Sequence, residues 1–388
     1  MNETPPVIAP GSTIGSLGGG QLCRMMTHAA QRMGYRVIAF DPDPDACGGR
    51  AADRHVAADW SDDAALAEFA AACDVVTLDF ENVPAAAAER VSETTPVRPG
   101  PHVLRVAQHR EREKTAVRKA DVETVRFETV DSQVALTTVS ADFPAGYVLK
   151  TLTEGYDGRG QVMVRPGEDG AAAYRSLTGG RDRGVTLLVE ELVALDCEVS
   201  VLAARSPSGQ TVVYDPICNT HENHILSVSV SPWTRGDPAV AEEARSVART
   251  LMDRLDVIGV LCVEFFVTTD GRLLVNELAP RPHNSGHLTI EAHVCSQFEQ
   301  QVRAVCGLPL GSTRQRTPAA MANLLGDVWT GGEPDWRAAL GDPDASLHLY
   351  GKTGVRPSRK LGHVTVLGDD AADRATRLRT AARPAEAS

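Results

Sequence analysis

A chain of 388 residues with 43% apolar side chains is long enough for two or three domains, each with a packed core. Its net charge of −12 disfavours nucleic acid and anionic membrane surfaces as partners. No apolar run is long enough to span a membrane, and the start, MNETPPVIAPG, has neither a basic region nor a long apolar stretch, so the expected location is the cytoplasm. The eight cysteines are scattered without a CxxC pair, which suits core residues in a reducing compartment rather than disulfides or a zinc site. The 39 basic residues include only five lysines, at 114, 119, 150, 352 and 360. Either chance or a need for a compact ammonium in place of a planar guanidinium produces such a bias.

The first hundred residues alternate strand and helix patterns. TIGSLG reads as a strand, QLCRMMTHAAQRMG as a helix and YRVIAFD as a strand; AALAEFAAAC, DVVTLDF and VPAAAAERVSE repeat helix, strand and helix. This predicts a parallel, doubly wound sheet. VRPGP at 97–101 is a break, and VLRVAQHREREKTAVRKA reads as one charged helix. From about residue 145 hairpin patterns take over: YVLKTL and QVMVRP around a polar loop, then VTLLVEEL, EVSVLAAR and TVVYDPI. VAEEARSVARTLMDRL is an amphipathic helix, and LCVEFFV and LLVNELA are paired strands. The remainder holds shorter elements and ends in a frayed tail, RTAARPAEAS.

Three stretches suggest a nucleotide. In GSTIGSLGGGQLCRMM, Gly18 and Gly20 occupy two positions of a dinucleotide fingerprint, Cys23 takes the third, and Asp41 follows 21 residues after Gly20. A dinucleotide, a different anion at the helix N-terminus beside Gln21, or only a tight turn fits this loop. YGKTG at 350–354 resembles a P-loop end but has Ser346 where glycine is required, so it is rejected. In TLTEGYDGRGQ, Lys150 ends a strand and Gly155, Gly158 and Gly160 alternate with Tyr156, Asp157 and Arg159. Such a hairpin can bring its backbone against phosphates and close as a lid.

The most specific inference from the residues is at LCVEFFVTTDGRLLVNELAP. A two-residue turn at Asp270-Gly271 puts Glu264 directly opposite Glu277, with Cys262, Phe266 and Val275 as neighbours on that face. Paired carboxylates destabilise a sheet unless a cation lies between them, and hard oxygen ligands without His or Cys suit Mg²⁺ completed by substrate phosphates. The adjoining loop, ELAPRPHNSGH, brings Arg281, His283, Asn284, Ser285 and His287 beside that pair, a composition suited to substrate contact.

Taken together, GGGQLCRMM, DFENVP, EGYDGRGQ, NELAPRPHNSGH and KTGVRPSRKLGH resemble the N5-carboxyaminoimidazole ribonucleotide synthases of purine biosynthesis, a family of ATP-grasp ligases, over roughly residues 12–368. The resemblance implies an α/β and α+β chain with the ATP-grasp fold. A doubly wound, Rossmann-like preATP-grasp domain would span 1–105, the ATP-grasp region 106–308 with a lid at about 120–193, and a small C-terminal domain 309–388. It implies ATP-dependent carboxylation of 5-aminoimidazole ribonucleotide (AIR) with bicarbonate through carboxyphosphate. ATP and Mg²⁺ (or Mn²⁺) would be required, a homodimer is expected, and the product would pass to the mutase of the same pathway.

By position, Arg110 and Lys150 would meet ATP phosphates under the Gly155, Gly158, Arg159 and Gly160 backbone. Glu190, Glu191, Leu192 and Val193 would form the adenine hinge, Glu198 would hold the ribose, Glu264 and Glu277 the metal, and Asn276 and His221 would line the same site. Tyr156, Asp157, Arg281 and Lys352 are implied as catalytic, and Gly20, Gln21, Glu81, Asn284, Ser285 and Arg359 as AIR and bicarbonate contacts. Cys23, His109, Cys218 and Gly354 depart from the family pattern, which usually has glycine, aspartate, glutamate and glutamate there. Other ATP-grasp ligases or transformylases, a non-catalytic nucleotide-binding module and a dehydrogenase are the competing readings.

Overall fold

The computed structural model describes residues 6–384 except 154, 156, 157 and 235. The alternating pattern of the first hundred residues becomes a four-stranded parallel sheet, in the order Arg54–Val56, Arg36–Phe40, Thr13–Leu17, Val75–Leu78. The helix Gln21–Arg32 buries Leu22, Met25, Met26 and Ala30 against Phe298, Val302 and Val305 of the helix Gln297–Val305. The N-terminal sheet is thereby joined to the centre of the molecule through an apolar seam.

The glycine loop entering that first helix is pinned from within. The buried Asp79 carboxylate accepts the amides of Gly20 (2.8 Å) and Cys23 (2.5 Å), and Asp41 accepts those of Gly19 (2.7 Å) and Asp43 (2.8 Å). Part of the helix N-terminus thus already holds an anion, the protein's own, and Asp41 braces the loop. Gly18 sits at φ +98°, where only glycine is at ease. Asp79→Ala leaves two buried amides without an acceptor. It is expected to cost roughly 2–3 kcal/mol, read as a lower melting temperature of the purified protein.

The charged stretch predicted as one helix is two, Pro101–Ala107 and Arg110–Lys119. His109 interrupts it and caps the second helix, its Nδ1 accepting the Arg112 amide at 3.4 Å. An imidazole thus does the capping that the family's usual aspartate would do.

The predicted lid has its own core. Its antiparallel sheet runs Phe127–Ser132, Arg183–Glu191, Tyr147–Thr151, Gln161–Val164, with Leu136 and Tyr174 of two helices packed on it. The largest sheet has nine antiparallel strands: eight follow the path Leu273–Ala279, Gly259–Thr268, Leu195–Arg205, Ile217–Glu222, Ile225–Ser231, Ala319–Leu325, Lys360–Leu367, Ala345–Leu349, and the ninth, Thr211–Val213, pairs with Leu195–Arg205. Strands from the expected C-terminal domain therefore extend the ATP-grasp sheet. The helix Pro238–Arg254 covers one face through Ala244, Ala248, Leu251 and Met252, and the other face packs in part on Leu288, Ala292 and Ala304 and carries Glu198, Glu264 and Glu277. The tail expected to fray begins inside the helix Ala371–Ala381, where buried Arg379 meets the Ser227 hydroxyl at 2.5 Å.

The glutamate hairpin reaches the predicted pairing by a different path. Val267 faces Leu273 and the turn holds three residues, Thr269, Asp270 and Gly271 (φ +83°), rather than two. A bulge at Asn276 then restores the register, so Glu264 does face Glu277. Because the bulge intervenes, Val275 lies opposite Phe265 in the core on the far face, not beside the carboxylates as expected.

Candidate active site

Three groups of side chains converge where lid, central sheet and N-terminal domain meet. The first is cationic. Glu190 in the lid sheet lies buried between Lys150 Nζ (2.5 Å) and Lys114 Nζ (3.1 Å), and Lys114 also donates to the Asn276 carbonyl (3.2 Å). Burial would raise the Glu190 carboxyl, but the two lysines hold it down at about 2. Burial and the neighbouring cations Lys114 and Arg110 lower Lys150, while Glu190 supports its charge. Two ammoniums to one carboxylate leave this trio with net positive charge. Arg110 adds to it; its Nε donates to the Thr151 carbonyl at 3.1 Å. A Cβ on Gly155 would collide with the Arg110 guanidinium, so glycine there permits the close approach. Gly158 and Gly160 both have positive φ, and Gly158 backs onto His224. Arg159 is in the same turn; Tyr156 and Asp157 lie outside the described residues.

The second group is acidic and stands on the cleft face of the central sheet. Glu264 pairs in register with Ser200 and Glu277, and Glu198 with Asn219 and Phe266. His221 Nδ1 is 3.1 Å from Glu198 Oε2, and His283 Nε2 is 3.0 Å from Glu264 Oε1. Burial first, and then the Glu277 charge, push the Glu264 carboxyl up to about 7. The same two causes push Glu113 up to about 8, its Oε1 accepting the Leu278 amide at 2.7 Å. Like charges in such a setting call for a cation. Two carboxylates suit Mg²⁺, which is commonly held by one or two carboxylates with substrate phosphates and water completing its shell.

The third group is at the N-terminal side. Glu81 and Arg281 form a buried ion pair, and Arg281 also reaches the Pro282 carbonyl (3.0 Å). Gly20 and Gln21 open the first helix nearby, with Asp79 touching Gly20 and its charge felt at Arg281. Lys352 is lowered to about 8, chiefly by burial, and faces Cys47 and Asp79. Arg359 Nη1 donates to the Gly354 carbonyl (3.0 Å), and Gly354 sits at φ +75°, which suits the glycine that replaces the usual glutamate. Lys360 bears electrostatically on Glu81, His221 and Glu264. A small cleft lined by Glu81, Gln108, Arg110, Glu113, Gly155 and Glu277 connects the three groups.

Other predicted residues sit differently. Asn284 exchanges amide hydrogen bonds with Asn323 (3.0 and 2.7 Å), and Ser285 is fully buried. Both therefore belong to the floor of the site. Glu191 Oε1 accepts the Arg126 amide (3.0 Å) and the Leu192 amide meets the Gly146 carbonyl (3.2 Å), which ties the 190–193 segment to the lid. His287 is interior as well, packed on His363 and 3.1 Å from Gln297 Nε2. Residues the sequence reading left without a role are Lys114, Glu113 and Asp79; His283, expected only as one of the loop's substrate contacts, instead meets Glu264. For Lys114 the signal was present: a rare lysine one helical turn after Arg110. Of the five lysines, Lys114, Lys150, Lys352 and Lys360 reach this region and Lys119 is exposed.

Burial holds His287 and His363 neutral, well below the ordinary imidazole value. The unfolded chain protonates first as pH falls, so their contribution is complete above the ordinary value of 6.5 and is lost below it. Thermal melts are therefore expected to shift to lower temperature as pH drops from about 7 toward 5.

Facing carboxylates on the central sheet, a buried Lys114–Glu190–Lys150 cluster where the lid meets it, and a preceding parallel sheet define an ATP-grasp ligase. Family models agree: residues 12–108 match the ribonucleotide synthetase preATP-grasp domain, 115–298 the ATP-grasp domain and 319–377 the phosphoribosylaminoimidazole carboxylase C-terminal domain. The chain belongs to the N5-carboxyaminoimidazole ribonucleotide synthase family. It is 42% identical over 360 residues to that synthase from Brucella melitensis, covering 92% of this chain and 97% of the relative. An ADP complex of such a synthetase superposes with a TM-score of 0.90 at 38% identity, covering 97% of both chains. The Aspergillus clavatus enzyme in complex with ADP and AIR superposes at 0.83 and 29% identity, covering 95% of this chain and 96% of that one.

Proposed function

We propose that this protein carboxylates AIR with bicarbonate at the expense of ATP, releasing N5-carboxyaminoimidazole ribonucleotide, ADP and phosphate. The observation that carries the reading is the register-matched pair Glu264 and Glu277 beside the Lys114–Glu190–Lys150 trio, with Glu81 and Arg281 across the same cleft. ATP transfers its γ-phosphoryl group to a bicarbonate oxygen, giving carboxyphosphate and ADP. The exocyclic amine of AIR takes the carboxyl group and loses a proton, and phosphate leaves.

Glu264 and Glu277 would hold Mg²⁺ (or Mn²⁺), which neutralises phosphate charge when bound. Lys150 and Arg110 face the transferring group, where fixed charge matters most because little covalent chemistry falls to the protein. Closure of the glycine hairpin carrying Gly155, Gly158 and Gly160 would keep water from the labile carboxyphosphate. Because its carboxylate is committed to two lysines, Glu190 organises the phosphate end, and adenine falls to the 191–193 segment, with the ribose at Glu198. His221 and Asn276 line this nucleotide end. Arg281, Lys352, Tyr156 and Asp157 serve the carboxylation, and Gly20, Gln21, Glu81 and Arg359 hold AIR and bicarbonate. Asn284 and Ser285 shape the floor beneath them. The domain limits given above, a cytoplasmic location, a homodimer and hand-off of product to the pathway's mutase complete the reading.

The test is ADP release by the purified protein with Mg²⁺ and labelled bicarbonate. AIR-dependent release with stoichiometric label in the product is expected. ADP release without labelled product means a different acceptor.

A further inference from the structure

Behind Glu264 runs a directed chain of side chains that these roles do not use. The Ser229 hydroxyl donates to Asn219 Oδ1 (2.8 Å), and Asn219 Nδ2 donates to Ser200 Oγ (3.0 Å). Ser200 Oγ donates to Ser285 Oγ (2.7 Å), which lies 2.9 Å from His283 Nδ1. His283 Nε2 then faces Glu264 Oε1 at 3.0 Å. Ser200, Ser229 and Ser285 are wholly buried, and Asn219 and His283 largely so.

The direction at the histidine is forced. The Ser285 backbone amide also points at His283 Nδ1 (3.4 Å), and an amide can only donate. Nδ1 is therefore the acceptor and the ring proton sits on Nε2, where it meets the carboxylate. A nitrogen that carries a proton is not a metal ligand. The residue is also fixed at its backbone: Gln297 accepts the His283 amide (2.8 Å) and donates to its carbonyl (2.7 Å).

We propose that His283 is a positioning residue that orients the Glu264 carboxylate for the cation, with the Ser229–Asn219–Ser200–Ser285 chain fixing its tautomer. This rests on the reading that Glu264 and Glu277 hold the metal. A hydrogen-bonded partner of a metal ligand holds it in one rotamer and removes the ordering cost from metal binding.

The test is Mn²⁺ binding to the ADP-bound enzyme, followed by electron paramagnetic resonance of free Mn²⁺, with thermal melts to verify folding. His283→Ala is expected to weaken Mn²⁺ binding roughly 10- to 100-fold. His283→Gln, whose amide can supply an N–H, is expected to recover most of the loss. Ser285→Ala, which leaves the amide on Nδ1, is expected to cost only a few-fold. If His283→Ala fails to fold, His283→Met fills the space without an N–H and carries the same expectation. Mn²⁺ affinity in the donor-less variant within about twofold of wild type overturns the proposal, as does a Gln variant no better than that variant. Glu264→Gln separates the two levels: if it binds Mn²⁺ as tightly as wild type, the metal reading fails and the proposal with it. If Glu264→Gln loses binding and His283→Ala does not, only the proposal fails.

Discussion

Glu277→Gln is expected to lower AIR-dependent ADP release by on the order of 10²- to 10³-fold while leaving the fold intact. Glutamine keeps the shape and removes the charge. Glu264, directly opposite and pushed up to about 7 by burial and by Glu277, is relieved of a like-charged neighbour. The metal-free variant should therefore melt at or above the wild-type temperature even as activity falls. That opposite movement of stability and activity separates a ligand pair from a structural one. Steady-state assays and melts on the same preparation read both. Activity within tenfold of wild type contradicts the assignment.

The second large effect is on stability. Glu190→Leu strands two buried ammoniums, Lys114 and Lys150, which now share one carboxylate at 3.1 and 2.5 Å. Removing one partner of a buried ion pair costs roughly 3–5 kcal/mol. The melting temperature should fall by about 10 °C, with ATP-dependent turnover lost as the lysines are displaced. The pH dependence has a definite sign. Held down at about 2 against an ordinary 4.5, Glu190 stabilises the native state above the ordinary value, and that contribution is lost as pH falls from 4.5 toward 2. The Leu variant lacks this acid limb, which melts across that range would reveal. A melting temperature unchanged by the substitution contradicts the trio.

Much of this was legible because local rules and global fold agree. Alternation gave the parallel N-terminal sheet, and the Asp-Gly turn signal placed Glu264 opposite Glu277. The route to that pairing was not legible: a three-residue turn and a bulge at Asn276 offset one another, and strand periodicity carries no mark of either. The same offset moved Val275 to the other face. The break at His109 escaped notice because a histidine cap is not a usual helix-start signal. Asp79 was invisible as a loop brace because its partners, the amides of Gly20 and Cys23, are 59 and 56 residues away in sequence. Lys114 is the contrary case. Composition singled out the lysines, but only the approach of the lid to the helix Arg110–Lys119 gives that one its partner.

The central claim is that the cleft activates bicarbonate with ATP before AIR accepts the carboxyl group. The most direct measurement is isotope transfer from ¹⁸O-labelled bicarbonate during AIR turnover, with the released phosphate analysed by ³¹P NMR. Phosphorylation at a bicarbonate oxygen leaves that oxygen on phosphorus when the carboxyl carbon is transferred, so phosphate carrying one ¹⁸O is predicted, in step with product. Product formed alongside unlabelled phosphate contradicts the account.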